Sequence, residues 1–206
     1  MDRCCRRGPL AAAILLCAGI AAADEPPGVT LGATVIFNTK CANCHEGECS
    51  GRLSFYDLPK ESADNHIRRY AGKVKGPVVR QLQYLLEQMK TTCRFYPMPV
   101  ATPPGQRWEA RALDQLALPD GLWHFVPLGP LGCGSWRVEV TVATNAIMRA
   151  EIIAADFDFI DDEYLYLRAG TTGVLAFDVE RPQAHYLRIE ARVPVELSSV
   201  AVIPAE

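Results

Sequence analysis

Two thiols and an imidazole lie within five residues of one another in the sequence Cys41-Ala42-Asn43-Cys44-His45. Two cysteines one helical turn apart can each form a thioether bond with haem, and the histidine that follows can bind the iron. This C-x-x-C-H spacing therefore predicts one covalently attached haem c. Cys41 and Cys44 are the predicted attachment points, and His45 is the predicted proximal iron ligand.

The same spacing also occurs in zinc sites and in thiol redox centres. A zinc site needs a second pair of ligands, and the sequence has no other C-x-x-C and no H-x-x-x-H. A thioredoxin-like centre follows a strand, whereas Gly32, Ile36 and Phe37 fit one face of a short helix that runs into Cys41. Haem is favoured over both, and a structural or redox dithiol is the alternative.

The first 23 residues have the three parts of a secretory signal. Arginines at positions 3, 6 and 7 precede an apolar run over residues 10–22, which is too short to span a bilayer, and alanines at 21–23 offer a cleavage site. We expect cleavage near Ala23, a periplasmic location and no integral membrane anchor in the mature protein. A retained anchor helix is the alternative.

Charge and cysteine content narrow the class of protein further. The formal net charge is -3, and cleavage of the signal would remove three arginines and one aspartate, so no nucleic-acid partner is expected.

Three cysteines remain in the mature chain besides the two of the haem motif: Cys49, Cys93 and Cys133. This is an odd number in an oxidising compartment. We predict a Cys49–Cys93 disulfide because the two cysteines lie at the ends of one helical segment, and pairing of Cys133 with either is the alternative.

Apolar residues change their period along the chain. Helical spacing predicts one helix that opens near Ser62 and ends at Gly72, and another that begins at Pro77. Four prolines in residues 96–104 predict a linker, followed by a short helix over 108–118. Beyond Pro119 the side chains alternate, as in residues 136–142 and 186–193, which is typical of an antiparallel sandwich.

These patterns predict an α+β fold of two domains, in which a small all-α domain precedes an antiparallel β-sandwich. The expected boundaries are a signal peptide at 1–23, a helical haem domain at 24–95, a proline-rich linker with a short helix at 96–119, and the sandwich at 120–206.

The helical half resembles a class I cytochrome c domain over residues 29 to about 93. Gly32 and Phe37 stand before the haem motif, and an aromatic residue lies in the leucine-rich turn Leu82-Gln83-Tyr84-Leu85, both as in that family. The resemblance implies a helical haem pocket. We expect Phe37, Ile67, Leu82 and Leu86 to line it.

The methionine loop that supplies the distal ligand in that family has no counterpart, because residues 67–76 run into the last helix without a methionine. Three possibilities remain for the sixth position of the iron. His66 is preferred because its helix is expected to face the distal side of the haem. Met98, in a Met-Pro dipeptide after the last helix, is the alternative, and a five-coordinate iron is the third possibility.

The predicted function is single-electron transfer to or from a periplasmic redox protein or enzyme, with the sandwich as a docking or binding module; catalysis by this chain is not expected. The alternative is a haem enzyme or a gas or redox sensor with an open or weakly ligated iron site. A third reading makes the sandwich the functional part, a ligand-binding module with haem as an accessory. Most aromatic residues of the sandwich are expected in its core, and any exposed ones could stack on sugars or dock a partner. The candidate aromatic residues are Trp123, Phe125, Trp136, Tyr164, Tyr166 and Tyr186. The oligomeric state is left open.

Overall fold

The computed structural model describes residues 28–45 and 60–205. Its helices are α1 (Leu31–Ile36), a π-helical continuation (Phe37–Cys41), α2 (Ala42–His45), α3 (Lys60–Ala71), α4 (Gly76–Thr92), α5 (Ala110–Leu113) and two 3-10 turns (Pro104–Gln106 and Asp114–Leu116). Its strands are β1 (Arg107–Glu109), β2 (Trp123–Leu131), β3 (Gly134–Val142), β4 (Ala146–Ala154), β5 (Phe159–Leu167), β6 (Thr172–Val179), β7 (Gln183–Ala191) and β8 (Leu197–Pro204).

The two longest helical stretches begin and end where local chemistry requires. The Thr30 hydroxyl accepts a hydrogen bond from the Ala33 amide at 3.3 Å and so caps α1. Pro77 lies in the first turn of α4, where its missing N–H costs nothing. Cys93 ends α4 in a left-handed conformation with φ of 49°. In α4, Val79, Leu82, Leu85 and Met89 form the buried stripe.

Two antiparallel sheets pack face to face. The first has the strand order β1-β8-β3-β6 and the second has the order β2-β7-β4-β5. Strand β6 alternates strictly between exposed and buried residues because only one of its faces meets the core. On β4, Met148, Ala150 and Ile152 are buried on the inner face, toward the first sheet. The sandwich core therefore lies between the sheets.

The outer face of the second sheet is divided into two parts, which we call the covered half (β2 and β7) and the open half (β4 and β5). Residues that precede the sandwich in the chain pack on the covered half. The Phe95 ring lies 5.2 Å from Phe125 and 5.3 Å from Tyr186 between centroids, and the Lys40 ammonium lies 4.3 Å above the Trp123 ring. Strands β2 and β7 are thus buried on both faces.

The predicted fold class is wrong. The described helices do not form a separate all-α domain: the chain is mostly a β-sandwich, and buried side chains of α4, such as Leu82, belong to the same apolar cluster as Phe125 and Val140 of the sheets. A short helical segment buries too little apolar surface by itself, so it completes its core on the sheet. The boundaries at 95/96 and 119/120 stay predictions.

The stretch expected to be a linker with one helix also contains a strand. Residues Arg107–Glu109 pair with β8, and the Trp108 indole N–H donates to the Pro127 carbonyl at 2.8 Å. The helix expected over 108–118 is therefore divided into β1, α5 and a 3-10 turn. In the described part of the chain, no helix is long and apolar enough to cross a membrane; the predicted signal peptide lies outside the described residues.

Replacing Phe95 with alanine should lower the free energy of unfolding by about 3 to 5 kcal/mol, because the ring is buried among aromatic side chains that join the helical segment to the sheet. Phe159→Ala is the matched control, since that ring is exposed, and it should change stability by no more than about 0.5 kcal/mol. Urea denaturation followed by far-UV circular dichroism measures both. Equal effects of the two substitutions would contradict the packing described here.

Candidate functional site

The residues of the C-x-x-C-H motif lie where the π-helical segment passes into α2. Cys41 is half-buried, Cys44 is exposed and His45 is buried. Both cysteines are free thiols. Phe37, which is expected to line a haem pocket, is fully buried on the same helical stretch. The sequence therefore places two thiols and one imidazole on adjoining turns of a helix that is packed against the sandwich.

His66 of α3 lies beside this motif. Its ring centroid is 6.4 Å from that of His45, with 64° between the ring planes. The Tyr70 ring packs on His66 at 4.7 Å, and Ile67, the other predicted pocket residue on α3, is buried. The structure thus places His66, the preferred distal ligand, beside His45 of the motif.

Met98, the alternative distal ligand, lies elsewhere. The Asn38 side-chain amide donates to the Met98 sulfur at 3.6 Å. Asn38 is two helical turns before His45, a distance of about 10 Å along the helix axis. The structure therefore assigns Met98 a packing contact near Asn38, whereas His66 adjoins His45.

Disulfide bonds engage both other described cysteines, Cys93 and Cys133. Cys49, the predicted partner of Cys93, lies outside the described residues, so the Cys49–Cys93 pairing stays a prediction. A bonded Cys93 at the C-terminus of α4 restrains the helical segment next to Phe95.

Burial, and next the neighbouring Cys44, raises the pKa of the Cys41 thiol to about 12. Reactive cysteines in redox motifs have the opposite property, because a lowered pKa makes them thiolates at neutral pH. The raised pKa of Cys41 therefore does not favour the thiol redox alternative.

No three side chains of His, Cys, Asp or Glu converge on one point within residues 28–45 and 60–205. A structural zinc ion needs four such ligands in a tetrahedron, and the motif does not provide them there. Two free thiols on the helix of His45, with His66 beside that histidine, match the groups by which a flat haem is bonded at its edge and ligated at its iron. The residues present therefore fit haem c.

A second arrangement lies on the open half of the second sheet. Three aromatic rings of β5 point outward there: Phe159, Tyr164 and Tyr166 are 53%, 57% and 70% exposed. Tyr164 and Tyr166 pair with Arg149 and Ile147 of β4. A register shift between Ile152 and Ile153 of β4 keeps Phe159 on the same face as the tyrosines. We call these three rings the aromatic row.

Charged side chains run beside the aromatic row and into the covered half. Arg149 donates to Asp162 at 2.6 Å and to Glu151 at 2.7 Å, and Arg188 pairs with the same Glu151. The hydrogen bond to Asp162 raises the pKa of Arg149 above its usual range. Because Glu151 and Arg188 are buried, this ionic strip is fixed in position.

Only part of this surface could be identified from the sequence. Tyr164 and Tyr166 are exposed, as a ligand-binding role requires, but Trp123, Phe125 and Tyr186 are buried beneath helical residues. Sequence reasoning missed Phe159 and Arg149. Period-two alternation could have placed Arg149 on the same face as Ile147, although not beside an open surface.

Acidic residues at the start of β5 do not form an ion site. Asp156 and Asp158 both pair with Arg181, at 3.2 and 2.8 Å, and Asp156 also accepts from Gln183. Internal ion pairs therefore engage these carboxylates.

The chain matches no protein-family model and no curated protein, so the resemblance to class I cytochrome c stays a prediction. Among solved structures it is similar to a carbohydrate-binding module of Cellvibrio mixtus lichenase 5A in complex with cellotriose, at 16% identity over 44% of this chain and 76% of that one, with a TM-score of 0.34. It is also similar to CBM35 from Cellvibrio japonicus Abf62, at 11% identity over 42% and 70%, with a TM-score of 0.31.

A third similar structure is a GH115 4-O-methyl-alpha-glucuronidase, at 14% identity over 71% of this chain and 25% of that one, with a TM-score of 0.36.

The predicted function, an electron-transferring cytochrome with a docking sandwich, is wrong. The separate cytochrome domain that it requires is not formed by the described helices, because their buried side chains belong to the core of the sandwich. The predicted open-iron enzyme or sensor falls with it.

Alkylation should distinguish the two thiols of the haem-free protein. At pH 8, iodoacetamide should modify Cys41 at least about tenfold more slowly than Cys44, because a raised pKa leaves less thiolate and burial limits access. Peptide mass spectrometry at timed intervals measures both rates. In urea the two rates should become similar, and a Cys41 that reacts as fast as Cys44 in the folded protein would contradict the described environment.

Proposed function

We propose that the open half of the second sheet binds a neutral saccharide. The observation that carries this proposal is the aromatic row on an edge strand, next to a fixed ionic strip. Exposed aromatic rings side by side on a rigid strand are unusual on a surface without a ligand, since contact with water is unfavourable for each ring.

The spacing of the tyrosines suits a chain of sugar rings. Tyr164 and Tyr166 lie two residues apart on one face, so their attachment points are about 7 Å apart along the strand. A pyranose ring presents C–H groups on one face, and these pack on the electron-rich face of an aromatic ring. Phe159, farther along the same strand, extends the apolar surface beyond one sugar unit.

Polar groups next to the row can bind the hydroxyl groups of a sugar. Arg149 lies opposite Tyr164 and uses N–H groups on Asp162 and Glu151, and its guanidinium has five donors in all. Both arginines of the strip face carboxylates, so positive charge is balanced locally. A neutral ligand that exchanges hydrogen bonds with this strip loses less solvation than a charged one.

Removal of the stacking rings should weaken saccharide binding. Tyr164→Ala and Tyr166→Ala should each raise the dissociation constant for an oligosaccharide about fivefold, because each removes a ring–sugar contact of roughly 1 kcal/mol. Tyr70→Ala is the matched control, since Tyr70 is similarly exposed but lies on α3, and it should have no effect. Isothermal titration with cellotriose, xylotriose and mannotriose measures the constants.

A failure of all three probes to bind at millimolar concentration would argue against the proposal. Binding that survives both tyrosine substitutions would move the site elsewhere. Capture of a protein partner by the open half, lost in the same variants, would identify a protein-docking surface in its place.

A separate proposal concerns the cofactor. We propose that Cys41 and Cys44 attach one haem c and that His45 binds its iron, which is supported by two free thiols on adjoining turns and a buried imidazole beside them. In each attachment a thiol adds across one vinyl group: sulfur bonds to one carbon, the thiol hydrogen goes to the other, and no electron is gained or lost. Export to the periplasm with cleavage near Ala23, where this attachment would occur, stays a prediction.

Covalent haem is tested by the mass of the denatured protein. The full chain, exported from a host that matures c-type cytochromes, should carry the mass of one haem that survives unfolding and organic extraction. Cys41→Ser with Cys44→Ser should abolish that mass, whereas Asn43→Ala, an exposed change between the two cysteines, should retain it. Absence of covalent haem from the unaltered chain would refute the cofactor proposal and leave the saccharide proposal untouched.

A further inference from the structure

We infer that His66 is the second axial ligand of the iron, opposite His45, so that the cofactor is held between two imidazoles. The inference rests on the proposed haem c. It assigns to α3 a role that the C-x-x-C-H motif does not contain.

The separation of the two rings is the first support. Metal–nitrogen bonds of transition metals are about 2 Å long, and a ring centroid lies about 1 Å behind its ligating nitrogen, so two imidazoles on opposite sides of one iron have centroids about 6 Å apart. The centroids of His45 and His66 are 6.4 Å apart. The 64° angle between the ring planes is compatible with axial ligation, because each ring can rotate about its own metal bond.

Two imidazoles alone cannot hold a free metal ion tightly, and no third ligating side chain joins them among the described residues. A porphyrin supplies four nitrogens in its own plane. One imidazole on each side of that plane would complete six-coordination without any further protein ligand. The pair therefore fits a haem iron better than a bare cation.

Helix α3 is fixed where His66 needs it. Ile67 is buried in the common core, and the Gln83 amide of α4 donates to the Asp64 carboxylate at 2.8 Å. The Arg68 guanidinium donates to the Val74 carbonyl at 2.9 Å and holds the end of the helix. Tyr70 packs on the His66 ring one turn later. The imidazole is thus carried on a positioned element, as a ligand should be.

Met98 does not compete for the same position. Its sulfur contacts the Asn38 amide, two turns away from His45. A thioether ligand would have to lie as close to His45 as His66 does. The structure therefore favours two histidines over a histidine–methionine pair, and such ligation lowers the reduction potential of a haem relative to a methionine ligand.

Absorption and electron paramagnetic resonance spectra of the haem-loaded full chain test the inference. The unaltered protein should be low-spin in both oxidation states, should lack the weak long-wavelength band of a sulfur–ferric iron bond, and should bind carbon monoxide slowly or not at all. His66→Ala should lose the low-spin spectrum, bind carbon monoxide rapidly, and regain a low-spin spectrum when imidazole is added. Met98→Leu is the matched control and should keep the spectrum of the unaltered protein.

Three results would overturn the assignment: a high-spin unaltered protein, a His66→Ala variant whose spectrum is unchanged, or loss of the low-spin state in Met98→Leu. His66→Met provides a second variant if alanine prevents folding, and it should stay low-spin while gaining the sulfur–iron band. Absence of covalent haem from the unaltered chain is a different failure, because it refutes the cofactor proposal before any ligand is tested.

Discussion

Packing of the Phe95 ring against Phe125 and Tyr186 is the interaction on which the rest of the structure depends. It covers the outer face of β2 and β7 and makes the helical segment part of the sandwich core. Without that cover, the sheet would expose large aromatic side chains to water, and the stripe of α4 would lack part of the core that it joins. The Cys93 disulfide lies two residues before this ring and restrains the approach of α4.

Partial cover has a second consequence, because it leaves the open half of the same sheet for a ligand. The ionic strip marks the border between the two halves. Glu151 is buried and would be costly as a lone charge, but Arg149 and Arg188 pair with it from opposite sides. The aromatic row therefore stands on a rigid edge, and the proposed haem site lies on the helical segment that covers the other half.

Secondary structure could be predicted from the sequence where the pattern was long. Alternation of apolar residues predicted β3 and β7, and helical spacing of apolar residues predicted α3 and α4. Each of these segments is long enough for its pattern to repeat several times. Strand β1 was missed because it has three residues and pairs with the distant β8. The predicted fold class was wrong. The apolar stripe of α4 indicates that one face of the helix is buried, but the sequence does not indicate whether that face packs on other helices or on a sheet. In the structure it belongs to the same core as the sheets.

The candidate sites were predictable only where they depend on local spacing in the sequence. Local spacing identified Cys41, Cys44 and His45, and His66 was placed near His45 because its helix was expected to face the distal side of the haem. The sequence did not predict that Tyr164 is exposed and Tyr186 is buried, because both residues lie on strands with alternating side chains. What separates them is the tertiary placement of Phe95, which follows α4 and lies in no helix or strand.

The outer face of the second sheet is divided into a covered half and an open half that we propose binds a saccharide. A backbone amide NMR titration with cellotriose tests this division most directly. We expect amide chemical-shift changes to concentrate at residues 147–151 of β4 and 159–166 of β5, while the amide signals of β3 and β6 in the first sheet stay unchanged. Shifts centred on the first sheet, or a spectrum that does not change at millimolar sugar, would contradict it.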